Sequence, residues 1–106
     1  MAELVWAPSA LADMDNIADY IAHNSVQGAK TQVASFFDKA KMLEIFPEIG
    51  RLVPELKDIR YRQILEGRYR IIYPVIQDEV HILTVHHQSM LLKNNPVFKA
   101  KIKKNK

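Results

Sequence analysis

Residues 59–87 read Ile59-Arg-Tyr-Arg-Gln-Ile-Leu-Glu-Gly-Arg-Tyr-Arg-Ile-Ile-Tyr-Pro-Val-Ile-Gln-Asp-Glu-Val-His-Ile-Leu-Thr-Val-His-His87. Two turn signals, Glu66-Gly67 and Gln77-Asp78, divide this stretch into three runs rich in β-branched and aromatic residues: Ile59–Leu65, Arg68–Ile76 and Glu79–His87. Runs of this kind at hairpin spacing predict antiparallel strands. Pro74 interrupts the middle run. Because proline has no amide to donate to a ladder, a bulge or an edge-facing position is expected there.

Working outward, the spacing becomes helical on the N-terminal side. Leu11, Met14, Ile17, Ala18 and Ile21 recur at helical intervals behind Ser9, which stands where a cap would, and Asp13, Asp15 and Asp19 fall on the opposite, wet face. A helix from about residue 9 to His23 or Asn24 is expected. Asn24-Ser25 then offers a second cap, followed by a stripe of Ala29, Val33, Phe36, Phe37, Ala40, Leu43 and Phe46 that Pro47 ends. Two helices on so short a link form an antiparallel hairpin. Leu4-Val5-Trp6, closed by Ala7-Pro8, suits an opening strand, and residues 47–58 read as an ordered loop. The order is β-α-α-β-β-β with a short basic C-terminal arm. An α+β fold of two layers follows, with the hairpin covering an antiparallel sheet of three to four strands. The division expected along the chain is a domain over 1–92 and a basic tail over 93–106.

The charge is uneven. Residues 1–50 hold three bases against seven acids, whereas residues 51–106 hold twelve bases against five acids. All five arginines, Arg51, Arg60, Arg62, Arg68 and Arg70, fall within twenty residues, and six of the ten lysines fall in the last fourteen. An anionic partner for the C-terminal half is the implication. The absence of cysteine excludes disulfides, thiolate catalysis and Cys-based metal sites. No basic leader or long apolar run is present, so a cytoplasmic protein without a membrane partner is expected.

Arg60 and Arg62 are two apart, as are Arg68 and Arg70, so each pair projects from one face of its strand. With Glu66-Gly67 as the two loop residues, Arg60 and Arg62 lie on the side opposite Arg70; one more loop residue reverses that. The pairs read either as a guanidinium cluster for phosphates and carboxylates or as solvated surface paired with Asp58 and Glu66. His86 and His87 point to opposite faces, and His81 is too far from His87 to share a metal, so no metal site and no cofactor are expected. Imidazole suits proton transfer near neutral pH, which makes a strand-end histidine beside an arginine either an acid–base group or a hydrogen-bonded structural residue. Lysines 93, 99, 101, 103, 104 and 106 either strengthen nucleic-acid binding or simply solubilise the terminus. Tyr61, Tyr69 and Tyr73 either stack on bases or join the core.

The order of elements and several short motifs resemble the RelE/ParE superfamily of toxins from bacterial type II toxin–antitoxin modules. The matching pieces, over about residues 4–92, are Trp6 with Ala10, Asp13 and Ile17, then Asp19-Tyr20-Ile21, Pro47-Glu-Ile-Gly-Arg51 with Pro54-Glu55, Arg60, Tyr69-Arg-Ile-Ile-Tyr73, and Val80-x-Ile-Leu-x-Val-x-His87. Gly50-Arg51 and the Tyr69–Tyr73 strand look more like the ParE branch. The resemblance implies a growth-inhibiting toxin, an antitoxin encoded beside it, and a homodimer or toxin–antitoxin hetero-oligomer. Its target would be DNA gyrase in the ParE manner, or ribosome-bound mRNA, cleaved by RelE-like members. It matches Arg70 to the strand arginine that RelE-like members place on the scissile phosphate and puts His87 where acid–base or phosphate-binding residues end the last strand. Arg51, Arg60, Arg62, Arg68 and His86 are the further candidates for target or phosphate binding. Many relatives have arginine where this chain has Met90. Two alternatives stand beside this reading: a degenerate toxin that only binds antitoxin, and a non-enzymatic nucleic-acid-binding module.

Overall fold

The opening strand β1 (Glu3–Trp6) leads into α1 (Pro8–Ala22) and α2 (Val26–Lys41), which form the hairpin, and a single 3-10 turn over Met42–Glu44 closes α2. The sheet follows as β2 (Arg51–Leu52), β3 (Tyr61–Glu66), β4 (Tyr69–Ile76), β5 (Glu79–Ile82) and β6 (Thr84–His87), and the last described element is α3 (Lys99–Lys103). This computed structural model describes residues 1–103. Lys104 and Lys106 of the basic tail lie outside the described residues. No helix among the described residues is long and apolar enough to cross a membrane.

The architecture is the two-layer α+β arrangement expected, with a sheet more divided than three or four strands. Its order is β1-β5-β4-β3-β2, and β6 also pairs with β4. β1 runs parallel to β5, while every other pairing is antiparallel. The extra strand β2 comes from the loop over 47–58, and the third long run is split at Leu83. There the register shifts by one between Val75↔Val80 and Ile72↔Thr84, leaving Tyr73 and Pro74 opposite a bulge. The bulge expected at Pro74 thus sits on its neighbour strand, where the proline has no amide to offer. Gln77 and Asp78 both have positive φ, 48° and 64°, as the tightest hairpin turn requires. The β3–β4 turn is Gly67-Arg68, one residue later than expected, with Gly67 at φ 58° in the left-handed position.

Two expectations about α1 are corrected. The helix is capped at Ala7 and begins on Pro8, whose fixed φ and missing amide suit a first helical position. Ser9 is therefore inside the first turn, where its Oγ donates to the carbonyl of Leu83. One turn on, Asp13 leaves the wet face. Its Oδ2 accepts hydrogen bonds from Thr84 Oγ1 and from the Val85 amide at 3.0 Å. These two side chains supply the free edge of β6 with the partners that a further strand would give. Ser25 caps α2 as expected, its Oγ accepting from the Gly28 amide at 2.8 Å.

Met14, Phe36, Ala40 and Leu43 of the helical layer meet Ile64, Ile71, Tyr73, Val80, Ile82 and Val85 of the sheet in the main core. Phe37 lies at the rim, 4.9 Å from Trp6 between ring centres, and Phe46 is exposed. The opposite face of the sheet is covered too. Ile72 packs there with Val53, Leu56, Leu92 and Phe98. The consecutive Ile71-Ile72-Tyr73, all fully buried, is the sequence signature of a strand covered on both faces.

Gly50 locks the loop to this strand. Its amide donates to the phenol oxygen of the buried Tyr73 at 3.0 Å, and its carbonyl accepts from Arg62 Nη1 at 2.8 Å. A Cβ there would stand 2.5 Å from Tyr73 Oη and 2.8 Å from the Gln63 carbonyl. Gly50→Ala is expected to lower stability by about 1–3 kcal/mol through this overpacking, measured by urea unfolding. An unchanged midpoint would show that the loop moves aside freely.

Candidate functional site

Pairing decides which basic groups meet. Residues directly opposite one another across two strands share a face. Leu65 pairs with Arg70 and Arg62 with Tyr73, while across the other ladder Arg70 pairs with His86 and Tyr69 with His87. Arg70 and His86 therefore share the face away from the hairpin, joined by Arg51, which pairs with Gln63. Arg62 and His87 share the hairpin face. The turn is displaced by one residue but still has two loop residues, so the separation of Arg62 from Arg70 expected for a two-residue loop holds. Arg70 and His87, expected side by side around one phosphate, are on opposite faces and do not meet.

On the face away from the hairpin, Arg70 is already engaged. Its Nη1 and Nη2 donate to the two carboxylate oxygens of Glu55, at 2.9 and 2.7 Å, and Nη1 also donates to Gln63 Oε1 at 3.0 Å. The fork is matched bidentately, the strongest form of this pair. Arg70 holds the Glu55 carboxyl below the ordinary carboxylate range, chiefly through these hydrogen bonds and against the opposing effect of burial. A hollow of about 360 Å³, lined by Arg51, Pro54, Glu55, Gln63, Leu65, Arg70 and Gln88, opens over the pair.

His86 is engaged as well. Its Nε2 bonds the Met90 carbonyl at 2.9 Å and its Nδ1 bonds Asn95 Nδ2 at 3.0 Å, so the partners place the ring proton on Nε2. Asn95 Nδ2 also donates to Thr84 Oγ1, and Asn95 Oδ1 accepts from the Val97 amide. This chain of bonds fastens the C-terminal arm to the sheet. Met90 contributes its carbonyl here while its side chain is exposed.

The remaining arginines divide in the same way. Arg60 grips Asp58 through Nε and Nη2, at 3.0 and 2.7 Å, and holds that carboxyl far below its ordinary range. Lys101 joins them at 3.4 Å from Asp58 and lies over the Tyr61 ring. Arg62 serves Gly50. Arg51 and Arg68 are exposed and form no ion pair among the described residues. Glu55, Gln63 and Asn95 are the site residues that sequence reasoning missed as such. Pro54-Glu55 was visible as a motif, but nothing in it shows that the loop folds back onto Arg70, and Asn95 reads only as part of a break.

Comparisons with known proteins agree on one group. The family model described as "ParE toxin of type II toxin-antitoxin system, parDE" matches residues 4–92. The curated protein "Toxin RelE2" of Caulobacter vibrioides is 34% identical over 92 residues, which is 86% of this chain and 100% of that protein. A solved structure described as the chromosomal ParDE TA system from P. aeruginosa superposes with a TM-score of 0.69 at 23% identity, covering 82% of this chain and 96% of that one, which is a likeness of fold.

The two partners of the ion pair differ in exposure, 9% for the Arg70 side chain and 38% for Glu55. Removing Glu55 leaves a buried cation short of acceptors, whereas removing Arg70 leaves a carboxylate that water reaches. Glu55→Ala is therefore expected to destabilise by about 1–3 kcal/mol and by more than Arg70→Met. Because the folded pKa of Glu55 is lowered, its contribution is present above the ordinary value of 4.5 and lost as pH falls through the folded value. The stability gap between wild type and Glu55→Gln should accordingly close on acidification, followed by urea unfolding at neutral and acid pH. A gap independent of pH would refute the ion-pair account.

Proposed function

The chain belongs to the family of ParE toxins of type II toxin–antitoxin systems, and we propose that it arrests growth by binding DNA gyrase rather than by cutting mRNA. The observation that carries this reading is that Arg70 and His86 are closed by partners and that Arg70 and His87, the pair the resemblance assigns to cleavage, do not meet. Phosphodiester cleavage by side chains needs a cation and an acid–base group that reach one phosphate together. Arg70 is held by Glu55 and Gln63, His86 has a partner on each ring nitrogen, and His87 projects from the other face of the sheet. Arg62, Arg70 and His86 thus serve the fold, which suits a toxin that acts by binding its target.

The same reading gives the protein a cognate antitoxin that neutralises it in a hetero-oligomer. Apolar side chains left exposed beyond the end of α2, Met42, Ile45, Phe46, Ile49 and Leu52, supply surface that such a partner can bury. Of the seven residues singled out as a site, Arg51 and Arg68 are the free cations through which an anionic surface of the target can be engaged. Arg70 and His86 act as positioning residues.

Three measurements test this. Induced alone, the protein should arrest growth, and co-expression with its antitoxin should relieve the arrest. Purified protein should inhibit supercoiling by gyrase, and Arg51→Glu with Arg68→Glu should weaken that inhibition by about tenfold or more, the loss of two favourable charge contacts. Transcripts should remain intact after induction. Ribosome-dependent cleavage of transcripts with supercoiling unaffected would overturn the gyrase reading in favour of an mRNA-cleaving toxin.

A further inference from the structure

We propose that the cleft between the helical hairpin and the β3–β4 turn binds a small phosphorylated ligand of nucleotide size. The cleft has a volume of about 770 Å³, roughly twice that of the hollow over Arg70, and lies mainly on the hairpin side of the sheet, reaching round the β6 edge to His86 and Asn95. That volume falls within the range of small-molecule sites.

Three hydrogen-bond donors from three different elements line it without acceptors. Gln32 of α2 presents a buried Nε2 that has no partner, an unusual state for a buried amide and one that an acceptor in the cleft relieves. His87, at the end of β6, accepts the Ser89 amide on Nδ1 at 3.1 Å, which leaves its proton on Nε2. The edge of Tyr69 fixes that ring at 5.2 Å between centres, and no protein acceptor meets Nε2 among the described residues. Arg68, in the turn, brings an exposed guanidinium with no ion pair among the described residues. Gly67 beside it leaves the approach open, with nothing within 4 Å of where a Cβ would stand.

The acidic group in the cleft does not cancel this pattern. Asp13 is turned to the sheet edge, where Thr84 and Val85 donate to its Oδ2. The donors therefore favour an anion. Phosphate fits a guanidinium and two neutral N–H groups from separate directions, as it has several acceptor oxygens. The rest of the lining suits a flat polar body on that phosphate. Ile17 and Tyr69 are apolar walls, Tyr20 offers a ring that is 78% exposed, and Asn16 supplies an amide at the rim. Stacking on an exposed tyrosine with amide groups alongside is how single nucleobases are held. The inference shares Arg68 with the gyrase reading, and Gln32→Leu, which touches no residue of that reading, tells the two apart.

The test is a titration of the full chain, followed by amide NMR, with AMP, GMP, CMP and UMP, and separately with inorganic phosphate and a short Glu-containing peptide. At least one nucleotide should bind with a Kd below about 1 mM, shift the Gln32 side-chain amide together with Tyr20, Arg68 and Tyr69, and bind about tenfold more tightly than phosphate. Arg68→Glu and Gln32→Leu should each weaken binding by about tenfold with thermal unfolding still cooperative. Because Arg68 is an exposed turn residue, loss of binding in that variant is separable from loss of fold. The proposal is overturned by equal affinity for phosphate, by tighter binding of the acidic peptide, by shifts confined to Arg51 and its neighbours, or by variants that bind as well as wild type.

Discussion

Strand β4 is covered on both faces, and nearly every other feature depends on that constraint. Tyr69, Ile71 and Tyr73 face the hairpin while Arg70, Ile72 and Pro74 face the arm and the loop, so the strand contributes to two cores at once. A slip of one residue would exchange the two sets, burying Arg70 among Phe36 and Leu43 and turning Tyr73 away from Gly50. Desolvating a guanidinium in an apolar layer without its carboxylate is prohibitive. The register is thus held by the chemistry of alternate side chains and not by the turn alone.

The arginine-rich stretch looks like a binding surface in one dimension and is largely a set of internal ties in three. Arg70 holds the loop through Glu55, Arg62 holds it through the Gly50 carbonyl, and Arg60 holds Asp58 beside the arm. Arg70 and Arg62 each join a strand to a segment lacking regular structure, where their several donors satisfy carbonyls and carboxylates that a sheet cannot reach, whereas Arg60 ties together the turn before β3. What has no ion pair among the described residues is Arg51, at the start of the stretch, and Arg68, in the β3–β4 turn. The five arginines therefore yield, among the described residues, two exposed guanidinium groups without an ion pair, at separate places in the fold and not in one continuous patch.

Edges explain the rest of the design. β6 has β4 on one side only, and α1 closes the other with Ser9 and Asp13, one turn apart on the same helical face. This contact takes Asp13 out of the solvated set to which its helical spacing assigned it. Periodicity ranks faces by hydrophobicity and does not register a carboxylate that is useful to a neighbouring backbone. Phe37 and Phe46 show the converse, because a hydrophobic stripe wider than the available core leaves its margin at the rim.

The sequence by itself determined the hairpin helices, the three main strand runs, their order, both turn regions and the pairing of hairpin with sheet, because these follow from local spacing, caps and turn residues that act over a few positions, while β2 and the break at Leu83 did not show in it. It also contained, in Gly50-Arg51 and Tyr69–Tyr73, the motifs that place the chain among the toxins of its family. The tertiary structure alone decided which charged groups meet. Glu55 reaches Arg70 across fifteen residues and Asn95 reaches Thr84 across eleven, while Arg70 and His87 are kept apart by the pleat. Contacts of that range depend on register and on how loops return to the sheet, and both are settled by burial of the whole core, not by any local preference.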